Sequence, residues 1–216
     1  LLVLGVAGTV YFALQDKANV PMYVVSSGIQ NMESVSLPDG TKVQMGPGSH
    51  LTYPASFSGK TREITLDGQA FFDVAKNREK PFIVHTGELN IQVLGTTFNV
   101  ASYPDDAEIK VSLVEGSVNV YTTSDAKKNI LLSPDEQAVF NKDDKALFMR
   151  KIDASSQAAW TTGRLVFVNE KLFDILKSIE KKYDVQILVQ SRKVYTEYFS
   201  GSIDANLTLD EILSYL

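Results

Sequence analysis

Short apolar segments with a period of two residues follow one another from Met22 to Ile152, separated by glycine, proline and aspartate. Such alternation is typical of a strand with one buried face. About a dozen of these segments fit into roughly 130 residues, which is too many for one open sheet. The pattern predicts a mainly β domain over 22–152, an antiparallel β-sandwich or jelly-roll-like fold.

Turn residues set the predicted strands apart. Asp39-Gly40 lies between two alternating segments and predicts a hairpin, Asp67-Gly68 predicts a turn between REITL and QAFFDV, and Glu115-Gly116 predicts another turn. The other predicted strands read PFIVHT, LNIQVL, TTFNVASY, EIKVSLV, SVNVYTT, ILLS, QAVFN and ALFMRKI.

The segment LNIQVLGTTFNV, residues 89–100, changes the parity of its apolar positions at its centre. Odd-numbered apolar positions up to Val93 give way to even-numbered ones from Phe98 onward. One extra residue at Gly95-Thr96 restores the core face, so we predict a β-bulge or strand corner with Gly95 irregular or at positive φ. A phosphate cradle is disfavoured, because this glycine precedes a strand rather than a helix N-terminus.

The pattern changes after Asp153. The segment RLVFV at 164–168 predicts a strand, Asn169 is the predicted N-cap of a helix with an apolar stripe from Leu172 to Tyr183, and VQILVQ predicts a second strand.

A third strand is predicted at 198–203, and Thr208 to Glu211 form a capping box that opens a second helix. The order β-α-β-β-α predicts a separate small α+β domain over 164–216. Residues 153–163 would then connect it to the first domain. Trp160, the only tryptophan, lies in this connector and is expected to pack the two domains together.

The chain begins with the uncharged run LLVLGVAGTVYFAL. A complete membrane helix needs about 20 such residues. We expect residues 1–14 to be the end of a transmembrane helix, because glycine and alanine suit such helices, and residues 15–21 to be a linker. The core of a signal peptide and a buried helix or strand are the alternatives.

Composition narrows the function. The 216 residues are 44% hydrophobic with a net charge of −5, so no basic surface for nucleic acid is expected. There are no cysteines, which removes disulfides, thiol nucleophiles, zinc–cysteine sites and iron–sulfur clusters.

Enzyme motifs are missing as well. The two histidines, His50 and His85, lack the spacing of a metal site or triad, and GPGSH at 46–50 lacks the last glycine of a nucleophile elbow. No catalytic, cofactor-binding or metal-binding residue is predicted, and the chain is not expected to be an enzyme. Two carboxylates suffice for a glycosidase, so an extracellular carbohydrate-binding or adhesive β-sandwich module stays open as the alternative.

The sequence resembles the FecR-like anti-sigma factors. The strings that carry this resemblance are VSLPDGTKVQM, REITLDGQAFFDVAKNREKPFIVHT, LNIQVLGTTFNV, VSLVEGSVNV and LSPDEQ. The tail from Trp160, with RLVFVNEKLFDILKSIEKKYDVQI and FSGSIDANLTLDEIL, resembles the following domain of the Bacteroidetes members. It is also similar to the short domain of secretins and TonB-dependent receptors. The usual final strand of that domain lies beyond Leu216, so a C-terminally truncated domain with an exposed edge is expected.

The resemblance implies a single-pass inner-membrane protein whose residues after about 15 lie in the periplasm. Its periplasmic part would receive a signal from the signalling domain of a TonB-dependent outer-membrane receptor. A cytoplasmic segment, absent from these 216 residues, would bind an extracytoplasmic-function sigma factor, which regulatory membrane proteases would release. The family implies no catalytic residues and no cofactor.

We expect residues 160–216 to bind the receptor, with strand addition at a free sheet edge as a plausible mode. The candidate partner-binding residues are Arg164, Leu165, Val166, Phe167 and Val168 on one edge and Tyr198, Phe199, Ser200, Gly201 and Ser202 on the other. The positions that identify the family and shape the fold are Asp39, Gly40, Gly68, Gly95, Thr96, Phe98, Gly116 and Trp160.

Overall fold

Thirteen strands follow one another between residues 22 and 151 of the computed structural model, which describes residues 20–28, 31–154, 159–204 and 207–216. The predicted membrane segment 1–14 and linker residues 15–19 lie outside the described residues. Within the described ranges, no helix is long and apolar enough to cross a bilayer. In chain order the strands β1 to β13 are Met22–Ser26, Glu33–Ser36, Lys42–Met45, His50–Pro54, Arg62–Asp73, Phe82–Thr86, Leu89–Val93, Thr97–Ser102, Glu108–Glu115, Val118–Thr122, Asn129–Leu132, Glu136–Asn141 and Leu147–Lys151.

The strands form two layers that share one member, β5. In the first layer, called sheet A, the order is β1-β4-β5-β6-β7-β10-β11, and in sheet B it is β2-β3-β5-β8-β9-β12-β13. All neighbours are antiparallel except β5 and β6, which run parallel. The predicted mainly β, two-layer fold is confirmed.

Gly68 is where β5 passes from sheet A to sheet B. Leu66 pairs with β4 of sheet A, whereas Gly68 itself pairs with Ser102 of sheet B. Its φ is 107°, and a Cβ there would lie 2.8 Å from the Cα of Ser49. The predicted turn at Asp67-Gly68 is therefore wrong: the glycine lets a 12-residue strand change layers without reversing direction.

The core lies between the two layers and is built from the inward-facing side of each strand. Phe72, Phe82 and Phe98 are fully buried there, and the rings of Phe72 and Phe98 stack with centroids 5.0 Å apart. Aromatic residues of this size contribute large buried apolar areas, which explains why a chain without disulfides holds two layers together.

The predicted corner at Gly95-Thr96 is confirmed. Strand β7 ends at Val93 in sheet A and β8 begins at Thr97 in sheet B, so the break carries the chain between layers. Gly95 has φ 144°, and a Cβ there would lie 2.6 Å from the Cα of Lys76. The Thr96 hydroxyl donates to the Ser117 carbonyl at 3.0 Å, and a register shift follows between Thr97 and Phe98.

The predicted hairpin at Asp39-Gly40 is also present, and it is fastened to a buried arginine. The side chain of Arg62 is 2% exposed, and its Nη1 donates to Asp39 Oδ2 at 2.6 Å. The same guanidinium donates to the carbonyls of Lys80 and Ala75, each at 2.9 Å. Asp39 in turn accepts from the backbone N–H and the hydroxyl of Thr41. These bonds join the β2–β3 hairpin loop and the β5–β6 connection to the first residue of β5.

The C-terminal residues fold as a small α+β unit with its own core. Its elements are a 3-10 helix at Ala159–Thr162, β14 at Arg164–Lys171, α1 at Leu172–Tyr183, a 3-10 helix at Arg192–Tyr195, β15 at Tyr198–Asp204 and α2 at Leu209–Ser214. The predicted stripe of α1 is confirmed, with Ile175 and Ile179 fully buried. The predicted capping box of α2 is present at Thr208 and Glu211.

Two local predictions in this unit are wrong. Asn169 does not cap α1, whose N-cap is Lys171; it lies within β14 at φ 49°. The segment VQILVQ, residues 185–190, forms no strand. Its period-two pattern is strand-like, but a strand needs a ladder partner, and a local pattern does not supply one.

Candidate partner-binding site

The two predicted edges of the small domain pair with each other. Arg164 lies opposite Asp204 and Phe167 opposite Gly201 in an antiparallel ladder between β14 and β15. Each strand has a single ladder neighbour among the described residues, so each keeps one open side. The structure therefore brings the two groups of candidate residues together into one two-stranded sheet.

The sheet has an apolar inner face and a polar outer face. Phe167 is 6% exposed and meets Phe199 edge-to-face with ring centroids 6.1 Å apart. A Cβ at Gly201 would lie 2.7 Å from the Phe199 ring, so a larger residue at this position would displace that ring. On the outer face the Arg164 guanidinium donates to the Ser202 hydroxyl at 2.8 Å. Arg164, Tyr198, Ser200 and Ser202 are exposed, whereas Leu165, Val166 and Phe199 are half-buried.

A bulge in β14 separates this ladder into two parts. The register shifts between Phe167 and Glu170, and Asn169 adopts its left-handed conformation there while its N–H donates to the Ser200 hydroxyl at 2.8 Å. Beyond the bulge, desolvation raises the pKa of Glu170, against the lowering effect of Lys110 and Arg150 of the sandwich. The bulge thus places one small-domain carboxylate near two cations of sheet B.

Residues 185–190 carry an exposed, strand-like surface beside α1. Leu188 is 82% exposed, while Ile187 and Val189 pack against the small-domain core. Within the described residues, the bonds of this segment to the rest of the chain run through Glu180: the Val185 N–H donates to its carbonyl, and the Ile187 N–H donates to its carboxylate at 2.6 Å. The segment belongs to no sheet among the described residues.

A shallow groove of about 210 Å³ lies between this segment and α1. The rings of Phe173 and Tyr195 are 4.7 Å apart at its wall. The hydrogen bond from Lys177, at 2.7 Å, contributes most to lowering the pKa of the Glu180 carboxyl, and the bond from the Ile187 N–H contributes next. The groove is lined by Phe173, Leu176, Lys177, Glu180, Ile187, Leu188, Val189 and Tyr195. Its lining holds one carboxylate, so it lacks the carboxylate pair of a glycosidase.

A row of polar side chains crosses the outer face of sheet B beneath the connector. Asn99, Ser112, Gln137 and Arg150 are cross-strand neighbours on β8, β9, β12 and β13. The Arg150 guanidinium donates to Gln137 at 2.8 Å, and the Gln137 amide donates to Ser112 at 2.7 Å. At the far end, the Trp160 indole N–H donates to Asn99 Oδ1 at 3.2 Å.

Three members of this row, Asn99, Ser112 and Gln137, are at most 3% exposed although they face away from the sandwich core. Something must therefore cover them, and the bond from Trp160 identifies the connector as part of that cover. This agrees with the expected role of Trp160 in packing the domains together. Sequence reasoning missed the row, because outward polar residues on a sheet normally face solvent.

The histidines take part in surface hydrogen bonds. His50 is the first residue of β4, and its Nδ1 is 2.7 Å from the Ser26 hydroxyl. His85 lies in β6, with Nε2 3.2 Å from Glu63 and Nδ1 2.6 Å from Asn90. Across the described ranges, no group of three or more metal-ligating side chains comes together.

Comparisons with known proteins agree with this architecture. The family described as FecR protein matches residues 23–119, and the family described as FecR, C-terminal matches residues 164–216. Comparison with curated proteins finds no match.

Two crystal structures, each assigned as an anti-sigma factor from Parabacteroides distasonis ATCC 8503, are similar to most of the chain. The structure at 2.50 Å resolution has a TM-score of 0.79 and 30% sequence identity, covering 90% of each chain. The structure at 1.65 Å has the same TM-score and identity and covers 89% of each chain.

Proposed function

Because the chain belongs to the FecR family and is a FecR-like anti-sigma factor, we propose that it carries a signal from an outer-membrane receptor to a sigma factor. In this proposal residues 160–216, the small domain and the end of its connector, bind the periplasmic signalling domain of a TonB-dependent transporter. The protein crosses the inner membrane once, through a helix whose last part is residues 1–14. A cytoplasmic segment controls an extracytoplasmic-function sigma factor, and regulatory membrane proteases release it.

The observation that carries this proposal is the junction between the small domain and the sandwich. A receptor can change the state of a regulator only through contacts that differ between its two states. The bond from Trp160 to Asn99 joins the connector to sheet B, and the charges of Lys110 and Arg150 act electrostatically on Glu170 of the small domain. In this proposal, receptor binding at the small domain changes these interactions with the sandwich.

The surface proposed for the receptor is an open edge of the β14–β15 sheet together with the outer face beside it. Strand addition at an open side needs main-chain groups and accessible side chains, and it needs no catalytic group. Arg164, Tyr198 and Ser202 are accessible there, and Tyr198 is 56% exposed. Tyrosine is among the residues that most often dominate binding energy at interfaces.

The test is a pull-down of the full chain by the purified signalling domain of the TonB-dependent receptor encoded nearest to it. Deletion of 160–216 should abolish capture, and Tyr198→Glu should weaken it at least tenfold, the loss of about 1.4 kcal/mol. Tyr215→Glu is the matched control, because Tyr215 is 62% exposed and lies after α2. Capture that survives the deletion would refute the assignment of receptor binding to the small domain.

The sigma factor has its own test. We expect the full-length protein, with its cytoplasmic segment, to co-purify with the sigma factor encoded beside it, and we expect residues 20–216 alone not to do so. Co-purification with residues 20–216 would contradict the proposed division between a cytoplasmic sigma-binding part and a periplasmic sensing part.

A further inference from the structure

Strand β1 carries an apolar surface that faces away from the sandwich core. Val25 packs against the core, whereas its neighbours Met22 and Val24 are 57% and 67% exposed. Val20, two residues before Met22, is 37% exposed. Since side chains alternate along a strand, Met22 and Val24 point to the same outer side, and Val20 extends this apolar surface toward the N-terminus.

Strand β1 forms one edge of sheet A, and it contains no charged residue. Its ladder neighbour is β4, and no second neighbour occurs on its other side among the described residues. The sequence from Ala18 to Met32 contains no charged residue, in a chain where 22% of residues are charged. Edge strands are commonly protected by charges. Strand β13, at an edge of sheet B, follows that rule with Arg150 and Lys151.

The apolar run of residues 1–14 precedes β1 by only seven residues, 15–21. A fully extended chain spans at most about 3.6 Å per residue, so β1 starts within roughly 25 Å of the end of that run. Tyr23 and Tyr53, whose rings are 5.6 Å apart, lie on the opposite face of this edge, the side that carries Val25.

We propose that the exposed side of β1, formed by Val20, Met22 and Val24, inserts into the lipid–water interface of the membrane. This proposal rests on the proposed membrane anchor at residues 1–14. The bilayer surface then covers an edge that the protein leaves apolar and uncharged. Insertion is shallow and driven by apolar contact, because the patch has no cation to attract anionic lipid headgroups. It therefore changes little with salt.

Nitroxide labelling tests the depth of this surface directly, since the chain has no cysteine that would need removal. The full chain carrying Val24→Cys is labelled and reconstituted in vesicles of phosphatidylcholine and phosphatidylethanolamine. Leu131→Cys is the matched control: Leu131 is also 67% exposed, on β11 at the opposite edge of sheet A. The collision rate of each label with oxygen, relative to a water-soluble nickel complex, reports its immersion.

We expect the oxygen-to-nickel ratio to be severalfold higher at position 24 than at position 131, at low and at high salt. Adding Met22→Asp to the Val24→Cys protein should return the label to water, because a carboxylate at this depth opposes insertion. Equal ratios at the two positions in vesicle-bound protein would overturn this inference and leave the anchor intact.

Two other outcomes are distinguishable. Protein that fails to stay with the vesicles would overturn the membrane anchor, and this inference with it. Dipolar broadening between labels at position 24 would show that a second copy of the chain covers the β1 edge, and it would overturn the assignment to lipid.

Discussion

Replacing Asp39 by alanine should be among the most destabilising single changes in the sandwich. The substitution removes the carboxylate that pairs with Arg62 at 2.6 Å, at a site where the arginine is 2% and the aspartate 12% exposed. Nη2 of Arg62 already has no hydrogen-bond partner among the described residues. In the variant the guanidinium keeps its bonds to the Lys80 and Ala75 carbonyls but loses its only carboxylate within that part of the chain.

The expected magnitude follows from the cost of a buried charge. Breaking a buried ion pair by removing one partner costs about 3–5 kcal/mol, because the remaining charge is left uncompensated. The backbone N–H and the hydroxyl of Thr41 donate to the Asp39 carboxylate at 3.0 and 2.8 Å, and both lose this acceptor in the variant. A domain is stable by only about 5–15 kcal/mol, so the loss is a large fraction of the total. It corresponds to a fall in Tm of roughly 6–20 °C.

Urea denaturation followed by far-UV circular dichroism measures the loss, and Trp160 fluorescence reports the connector in the same experiment. Asp67→Ala is the matched control, because Asp67 is an exposed aspartate in β5 and should change stability by less than about 0.5 kcal/mol. Arg62→Met and the Arg62→Met/Asp39→Ala double variant complete a cycle, in which the double variant should lose much less than the sum of the singles. Equal midpoints for Asp39→Ala and Asp67→Ala, or strict additivity in the cycle, would refute the reasoning.

Three further predictions concern the strand corner, the groove and the junction. Gly95→Ala should cost about 2–4 kcal/mol in urea denaturation, because its Cβ would enter backbone, whereas Gly40→Ala, at φ 86° with open space around it, should cost about 1 kcal/mol; similar losses would contradict the steric argument. Glu180→Gln should cost about 1 kcal/mol. The folded state lowers the pKa of Glu180, so its contribution to the free energy of unfolding is present above the unfolded pKa and is lost as pH falls through the folded pKa. The Tm of the variant should therefore fall less on acidification than the Tm of the unsubstituted protein. The same dependence of Tm on pH in both proteins would count against this. Trp160→Phe keeps an aromatic ring but removes the donor to Asn99, so hydrogen exchange of the connector and small domain should rise with the sandwich unaffected, and no change in exchange would show that the bond does not hold the junction.

Sequence reasoning succeeded where a local rule decides the structure. The corner at Gly95 follows from the change between odd-numbered and even-numbered apolar positions on its two sides, and the apolar stripe of α1 follows from helical spacing. Both depend on residues close in sequence, so the pattern contains the information.

It failed where a distant partner decides. Asp67-Gly68 has the composition of a turn, yet the strand continues, because Ser49, just before β4, and Ser102 of β8 lie beside Gly68. The alternation of apolar and polar residues in β5 and β6 does not indicate that these two strands pair in parallel. VQILVQ has the pattern of a strand and lacks a ladder within the described residues, since a sheet is a property of two segments.

For the candidate site, sequence reasoning named both strands of the small sheet but not their pairing, and it identified Trp160 but not its partner. The polar row beneath the connector could not be predicted, because burial of Asn99 and Gln137 depends on what covers an outer face. Whether the receptor uses this sheet stays a prediction that the pull-down tests.

The sharing of β5 between both layers has a consequence for how the protein folds. Neither layer can be completed until β5 has met β4 and β6 through its first half and β3 and β8 through its second. Contacts between segments far apart in sequence slow the search, so the domain belongs among proteins that fold in milliseconds to seconds. Both layers should then appear together in refolding, with a single phase, because the strand they share makes assembly of one the condition for assembly of the other.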